Sequence, residues 1–188
     1  MIENYIKIWY NKDSNEGIMD SVIINDFDLA DYEIDSKNTK VRALLIYNDK
    51  ILVSNYGSAV LFPGGKLDSG ETKEDAIIRE LKEETGIIYN LDELKELFLL
   101  EYYQKQYHTR RNTIENRLIK TYFYYGHFKG INENNIELSE REIEGNFHLE
   151  LMTFPALQRR IIETSNDPRD IYFNREMDTA IKVYKKKI

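Results

Sequence analysis

The stretch GGKLDSGETKEDAIIRELKEETGI, residues 64–87, carries the pattern that decides the fold. It holds seven acidic residues in twenty-four positions, and it begins with two adjacent glycines. Thr72 is a suitable N-cap, Asp75 completes a capping-box-like pair with it, and Gly86 is placed to end a helix. The stretch therefore predicts a glycine turn followed by a helix over residues 72–85.

Three glutamates of this helix are expected to share one face. At about 100° per residue, Glu83 and Glu84 lie within about 60° of Glu80 on the helical wheel. The apolar stripe next to this face consists of Ile77, Ile78 and Leu81. Carboxylates at these spacings repel one another and destabilise the helix, and a bound divalent cation would reverse that effect. Hard oxygen ligands in this number suit Mg²⁺ or Mn²⁺.

The turn before the helix is expected to approach the acidic face. Gly64 and Gly65 allow the backbone to come close to whatever lies there, and a free carbonyl could add a ligand. Glu71 could pair with Arg79 and so tie the turn to the helix. The alternative is an acid-rich amphipathic surface helix, but such a helix has no need of glycine, glutamate and arginine at set distances.

This spacing resembles the Nudix signature G-x5-E-x7-R-E-U-x-E-E-x-G-U, in which U is a bulky aliphatic residue. Every fixed position matches, namely Gly65, Glu71, Arg79, Glu80, Leu81, Glu83, Glu84, Gly86 and Ile87. The resemblance implies an α/β protein with the Nudix fold, an α/β/α sandwich around a mixed β-sheet. It also implies hydrolysis, dependent on Mg²⁺ or Mn²⁺, of a nucleoside diphosphate linked to another moiety.

The resemblance assigns roles residue by residue. Glu83 and Glu84 match the main metal ligands, and Glu80 matches a ligand that in some members also acts as the base for the attacking water. Gly64 matches a glycine whose carbonyl can touch the metal. The structural positions of the motif are Gly65, Glu71, Arg79 and Gly86.

Many family members use a further glutamate outside the motif, often in the loop before a strand that leads into the last helix. Here that loop contains LSEREIEG, so Glu142 and Glu144 are the candidate metal ligands, with Glu140 behind them. The alternative is a solvated acidic loop.

The remaining sequence predicts alternating strands and helices, which favours an α/β or α+β class. Residues 1–38 are expected to form an N-terminal extension or edge hairpin, with short strands at 6–9 and 21–25, and residues 39–188 the Nudix domain. The predicted elements of the domain are a hairpin of strands at 41–47 and 51–56, a short strand at 60–65, strands at 94–103, 118–128 and 146–154, and helices at 155–163 and 174–187. Polar loops are expected at 104–117 and 132–145.

Three residues are candidates for substrate binding. Arg110 and Arg111, near Lys105 and His108, could face the phosphates of a substrate, or they could form a solvated turn. Tyr103 lies where Nudix hydrolases of dinucleoside polyphosphates often have a tyrosine that stacks on a base, although core packing is the favoured role in so tyrosine-rich a chain.

The composition of the chain limits the classes of molecule that it is expected to bind. The net charge of −7 gives no general attraction to long nucleic acid or to an anionic membrane, so a small nucleotide substrate is expected. Residues 1–38 could shape the pocket or a homodimer interface. The absence of cysteine excludes disulfides, thiolate metal sites and the cysteine–glutamate chemistry of related isomerases, and it fits a cytoplasmic protein. No signal-peptide pattern is visible.

Several functions remain open. LFPGGKLDSGET (61–72) is most similar to the MutT-like branch, which cleaves nucleoside triphosphates. Dinucleoside polyphosphates, nucleotide sugars and ADP-ribose are alternative substrates. A non-catalytic nucleotide sensor with the Nudix fold is the alternative outside the enzymes, and the complete motif argues against it.

Overall fold

The computed structural model describes residues 20–109, 112–164 and 171–188. The strands are β1 (Ser21–Ile24), β2 (Ser36–Tyr47), β3 (Lys50–Tyr56), β4 (Ala59–Leu61), β5 (Leu94–His108), β6 (Ile114–His127) and β7 (His148–Thr153). The helices are α1 (Lys73–Thr85), α2 (Glu140–Glu144), α3 (Phe154–Thr164) and α4 (Ile171–Lys187). Single 3₁₀ turns lie at Asp31–Glu33, Leu91–Glu93 and Glu133–Asn135.

The strands form one mixed sheet. Its order is β1-β5-β6-β2-β3-β4, and β7 also pairs with β3. The β1–β5 and β2–β6 pairs are parallel, whereas β5–β6 and the three pairs of β3 are antiparallel. β1 therefore forms one edge of the sheet, and β2 lies near its centre.

Two apolar layers cover the two faces of this sheet. Side chains alternate between the faces of a strand, so Val41, Ala43 and Leu45 of β2 pack with α1 on one face. Leu44 of the same strand packs with α3 and α4 on the other face. The arrangement is an α/β/α sandwich, and the predicted fold class is confirmed.

Helix α1 begins and ends where the sequence predicts. The backbone N–H of Asp75 donates to the Thr72 hydroxyl at 3.1 Å, so Thr72 is the N-cap. Gly86 adopts φ +69, the left-handed conformation typical of a helix C-cap, and its N–H donates to the Lys82 carbonyl at 2.8 Å. These two caps fix the length of the helix and hence the position of its acidic face.

Three of the predicted boundaries are wrong. The loop expected at 104–117 is mostly a continuation of β5 and β6, which pair as far as His108 and Ile114. β2 starts at Ser36, inside the predicted N-terminal extension and ahead of the strand expected at 41–47, because it pairs in parallel with β6 from Arg117 onward. The acidic loop contains α2, which begins at a Ser139 cap. In each case cross-strand pairing or a cap organises a polar sequence that shows no apolar periodicity.

The N-terminal part of the chain is described only from Asp20 onward. The strand expected at 21–25 is present as β1, and the strand expected at 6–9 lies outside the described residues. The division of the chain into residues 1–38 and 39–188 stays a prediction. None of the helices in the described part of the chain is long and apolar enough to cross a membrane.

Candidate active site

The Gly64–Gly65 turn is fixed against the central strand β2. The N–H of Val41 donates to the Gly65 carbonyl at 2.9 Å, and the N–H of Ala43 donates to the Pro63 carbonyl at 2.9 Å. Gly64 has φ +129, and a Cβ there would lie 2.3 Å from the Val41 carbonyl oxygen. Only glycine fits this position, so the direction of the Gly64 carbonyl is set by the fold.

Helix α1 brings Glu80 and Glu84 against this turn. Glu84 is 3% exposed, and one of its carboxylate oxygens accepts a hydrogen bond from the Gly64 N–H at 3.2 Å. A Cβ on Gly65 would lie 2.4 Å from the Glu80 carboxylate. The sequence predicted this close approach, and the two glycines make it possible because neither carries a side chain.

Arg79 organises the acidic side chains around it. Its Nε and Nη2 donate to the two oxygens of Glu71 at 2.8 and 2.9 Å, which is the predicted ion pair in bidentate form. Its Nη1 donates to Glu80 and to Glu83, each at 3.0 Å. Arg79 therefore ties the loop to the helix and also holds two of the three predicted metal ligands.

The carboxylates of this site have different electrostatic environments. Burial raises the pKa of Glu84 well above its usual value, and the neighbouring carboxylates of Glu80 and Glu142 add to that effect against the opposing charge of Arg42. Burial likewise raises the pKa of Glu80, although Arg79 opposes the shift. The hydrogen bonds from Arg79 lower the pKa of Glu71. Glu80 thus shares Arg79 with Glu71 and Glu83, whereas the hydrogen bond that Glu84 accepts comes from the uncharged Gly64 N–H.

The second acidic segment contributes Glu142 to the same place. Glu142 lines a cavity of about 180 Å³ together with Gly64, Glu84 and Arg42. One of its oxygens also accepts hydrogen bonds from the N–H and the hydroxyl of Ser139, both at 2.6 Å. Glu144 is exposed and does not line this cavity. Of the two candidates left open by the sequence, Glu142 lies next to the glutamates of α1.

A hard divalent cation fits the chemistry of these donors. Carboxylate and carbonyl oxygens are the ligands that Mg²⁺ and Mn²⁺ prefer, and two of the carboxylates are buried without an equal positive charge. In the described parts of the chain, no three acidic or histidine side chains converge closely enough to hold a metal ion. Arg79 instead donates to Glu80 and Glu83, and Ser139 donates to Glu142.

Sequence reasoning missed Arg42 of β2. It is 6% exposed, and its Nη1 donates to the carbonyls of Phe62, at 3.0 Å, and of Gly64. The only signal was a single charged residue inside the apolar run VRALLIY, which is unusual for a central strand. Arg42 is thus a positive charge that contacts the turn from the side of the sheet opposite to α1.

Of the three predicted substrate-binding residues, Tyr103 is the one that the structure describes, and it does not line this cavity. Arg110 and Arg111 lie outside the described residues. Tyr103 is half-buried near the far end of β5, where its hydroxyl donates to Asp31 at 3.4 Å and its ring lines a different cavity of about 380 Å³. Its role in substrate binding stays a prediction.

Comparison with known proteins identifies the family. Residues 37–172, more than half of the chain, match the NUDIX domain family, so the chain belongs to the Nudix family. The predictions of a Nudix fold and of membership in this family of hydrolases are confirmed.

Individual relatives also support membership in the Nudix family. An 8-oxo-dGTP diphosphatase from Haemophilus influenzae is 39% identical over 77 residues, which are 37% of this chain and 57% of that relative. The match thus spans little more than half of that relative's length. A Nudix hydrolase from Nitrosomonas europaea shares the fold with a TM-score of 0.54 at 17% identity, covering 81% of this chain and 90% of its own. An ADP compounds hydrolase also shares the fold, with a TM-score of 0.50 at 18% identity, and the match covers 80% of this chain and 74% of that protein.

Proposed function

We propose that this protein is a metal-dependent hydrolase that cleaves a pyrophosphate bond in a nucleoside diphosphate linked to another moiety. The observation that carries the proposal is the pair of buried carboxylates, Glu80 and Glu84, held against the Gly64–Gly65 turn. A surface helix would leave these groups in water. Burial of two carboxylates without equal positive charge is costly, and a divalent cation bound beside them would offset that cost.

The residues of the site have distinct proposed roles. Glu83, Glu84 and the Gly64 carbonyl would hold the cation, with Glu142 as the additional ligand. The bound Mg²⁺ or Mn²⁺ would neutralise phosphate oxygens and lower the pKa of a bound water. Glu80 accepts the proton of the attacking water on Oε2, because Oε1 is the atom hydrogen-bonded to Arg79.

A nucleoside triphosphate is the proposed substrate. The similarity to proteins named 8-oxo-dGTP diphosphatase favours this class, with oxidised guanine nucleotides included. Dinucleoside polyphosphates are the alternative that depends on Tyr103, and nucleotide sugars and ADP-ribose are the other open class. With the net charge of −7, a small nucleotide is preferred to long nucleic acid as the partner.

The test is release of phosphate and pyrophosphate from a panel of nucleotides with Mg²⁺ or Mn²⁺. The panel holds ordinary and oxidised nucleoside triphosphates, dinucleoside polyphosphates, nucleotide sugars and ADP-ribose, each with and without a chelator. We expect chelator-sensitive hydrolysis that is strongest for a triphosphate. Metal-dependent nucleotide binding without any product would contradict the proposal and support the sensor function instead.

A further inference from the structure

A buried charged pair connects α4 to the turn of the proposed active site. Arg42 lies in the middle of the sheet and faces the α4 side, and Glu176 of α4 is 1% exposed. The Nε of Arg42 lies 3.8 Å from the Glu176 Oε1. At this distance the two groups form an ion pair but no hydrogen bond, because the donor and acceptor atoms of an N–H···O hydrogen bond lie within about 3.2 Å of each other.

The bonding of this pair is uneven. The Nη1 of Arg42 donates to the Phe62 and Gly64 carbonyls, whereas its Nε has no hydrogen-bond partner in the described parts of the chain. Within those same residues, neither carboxylate oxygen of Glu176 accepts a hydrogen bond of ordinary geometry. The buried hydroxyls of Thr121, Tyr172 and Thr179 also lack such a bond there, although the Tyr172 hydroxyl lies close enough to Glu176 and Thr121 to interact with both. Buried polar groups normally have partners, so this cluster has acceptor capacity that its present arrangement does not use.

A divalent cation at the Gly64 carbonyl would compete with the guanidinium of Arg42 for this oxygen. A guanidinium and a divalent cation on one oxygen repel each other strongly at such short range, above all away from bulk water. The carbonyl cannot turn away, because Gly64 is fixed between β2 and Glu84. Arg42 is therefore the group that must move when a cation takes this oxygen.

We propose that Glu176 is a positioning residue that receives the guanidinium of Arg42 when a divalent cation occupies the Gly64 carbonyl. This inference rests on the proposed function, since it assumes that the Gly64 carbonyl is a metal ligand. Glu176 is the acidic group that faces Arg42 from α4. Its oxygens accept no hydrogen bond of ordinary geometry, so they can accept the N–H groups of Arg42 in competition with the nearby Tyr172 hydroxyl. Binding at the α1 face is thereby coupled to the packing of α4.

The coupling makes a distinctive prediction about two variants. Glu176→Gln removes the negative charge that receives Arg42, so the guanidinium stays on the carbonyl and competes with the cation. Replacement of both residues by methionine removes the competitor as well, and buried ion pairs often tolerate apolar replacements of similar volume. If Glu176 only supported the fold around the site, both variants would bind the cation more weakly.

The test is Mn²⁺ affinity, measured from the electron paramagnetic resonance signal of the free ion, with folding checked by circular dichroism. We expect Glu176→Gln to weaken Mn²⁺ binding about 10-fold or more. The double variant Arg42→Met with Glu176→Met is expected to bind at least as tightly as the wild type. Asp178→Asn removes the same charge from the surface of α4, where Asp178 pairs with Lys182, and is expected to stay within about twofold.

Two results would overturn the inference: an unchanged affinity in folded Glu176→Gln, or a double variant weaker than the wild type. If Glu176→Gln does not fold, the double variant alone decides, because tighter and weaker binding have opposite meanings. Absence of Mn²⁺ binding by the wild type, even with nucleotide present, would overturn the proposed function and with it this inference. The two failures are thus distinguishable.

Discussion

The two sides of the Gly64 carbonyl are built in different ways. On the α1 side, the acidic groups come from one short stretch of sequence, and Arg79 satisfies several of them at once. On the α4 side, Arg42 and Glu176 come from distant parts of the chain and remain incompletely bonded. The α1 side is therefore a locally encoded group of acids whose bonds to Arg79 are largely satisfied, whereas the α4 side retains polar groups with unused bonding capacity.

The largest effect is expected on the α1 side, from Glu84→Gln. The amide can still accept the Gly64 N–H but carries no charge for a cation, so we expect kcat/KM to fall by about 10²–10⁴-fold. The fold should be retained, because burial already disfavours the ionised form of Glu84. Glu74→Gln is the control, since Glu74 lies on the same helix beside Lys73 and away from the turn. Full activity of Glu84→Gln would refute the assigned site.

The next largest effect is expected on the α4 side, where substitution of Arg42 should lower the free energy of unfolding. Arg42→Gln leaves Glu176 buried without its positive partner, and we expect the free energy of unfolding to drop by about 3–5 kcal/mol. Arg160→Gln breaks an ion pair with Glu150 that is more than a third exposed, and it should cost no more than about 1 kcal/mol. Urea unfolding of both variants measures the difference. Equal losses would remove the distinction between a buried and a surface pair.

Lys40, which lies on the α4 side, is expected to make the free energy of unfolding depend on pH. Burial lowers the pKa of Lys40 from 10.5 to about 8, against the opposing charge of Glu176 and with the help of Arg42, Arg117 and Lys66. Between these values the unfolded chain binds a proton that the folded chain has released, so this group makes stability rise with pH by up to about 3 kcal/mol. Its ammonium also lies over the Tyr172 and Phe173 rings.

Lys40→Met should abolish that rise. The free energy of unfolding of the wild type, relative to the variant, is expected to increase from pH 8 to pH 10.5, as measured by urea unfolding at each pH. Parallel curves for the two proteins would show that Lys40 keeps its ordinary pKa and that this part of the α4 side is well solvated.

The smallest effect concerns the second acidic segment. Glu142→Gln should raise the Mg²⁺ concentration needed for half-maximal activity by about 10-fold, because Glu142 lines the cavity with Gly64 and Glu84. Glu144→Gln should behave like the wild type, since Glu144 is exposed and outside this cavity. Similar Mg²⁺ requirements in both variants would mean that neither residue is the additional ligand.

The sequence predicts features that depend on neighbouring residues in the chain. The caps at Thr72 and Gly86, the acidic face of α1 and the Glu71–Arg79 pair all follow from local spacing. The extension of β5 and β6 through a polar segment does not, because the cross-strand partners that stabilise it lie on another strand. Arg42 shows the same limit, since its contacts with Gly64 and Glu176 exist only once α4 packs on the sheet.

The carboxylates of α1 and the Gly64 carbonyl are proposed to hold a divalent cation. A crystal structure with Mn²⁺ and a non-hydrolysable nucleoside triphosphate would locate the ion from the anomalous signal of manganese. We expect a peak about 2.2 Å from Glu84 and from the Gly64 carbonyl, with Arg42 moved to Glu176. A nucleotide bound with no manganese peak at this site, and with Arg79 and Arg42 in their present contacts, would contradict it.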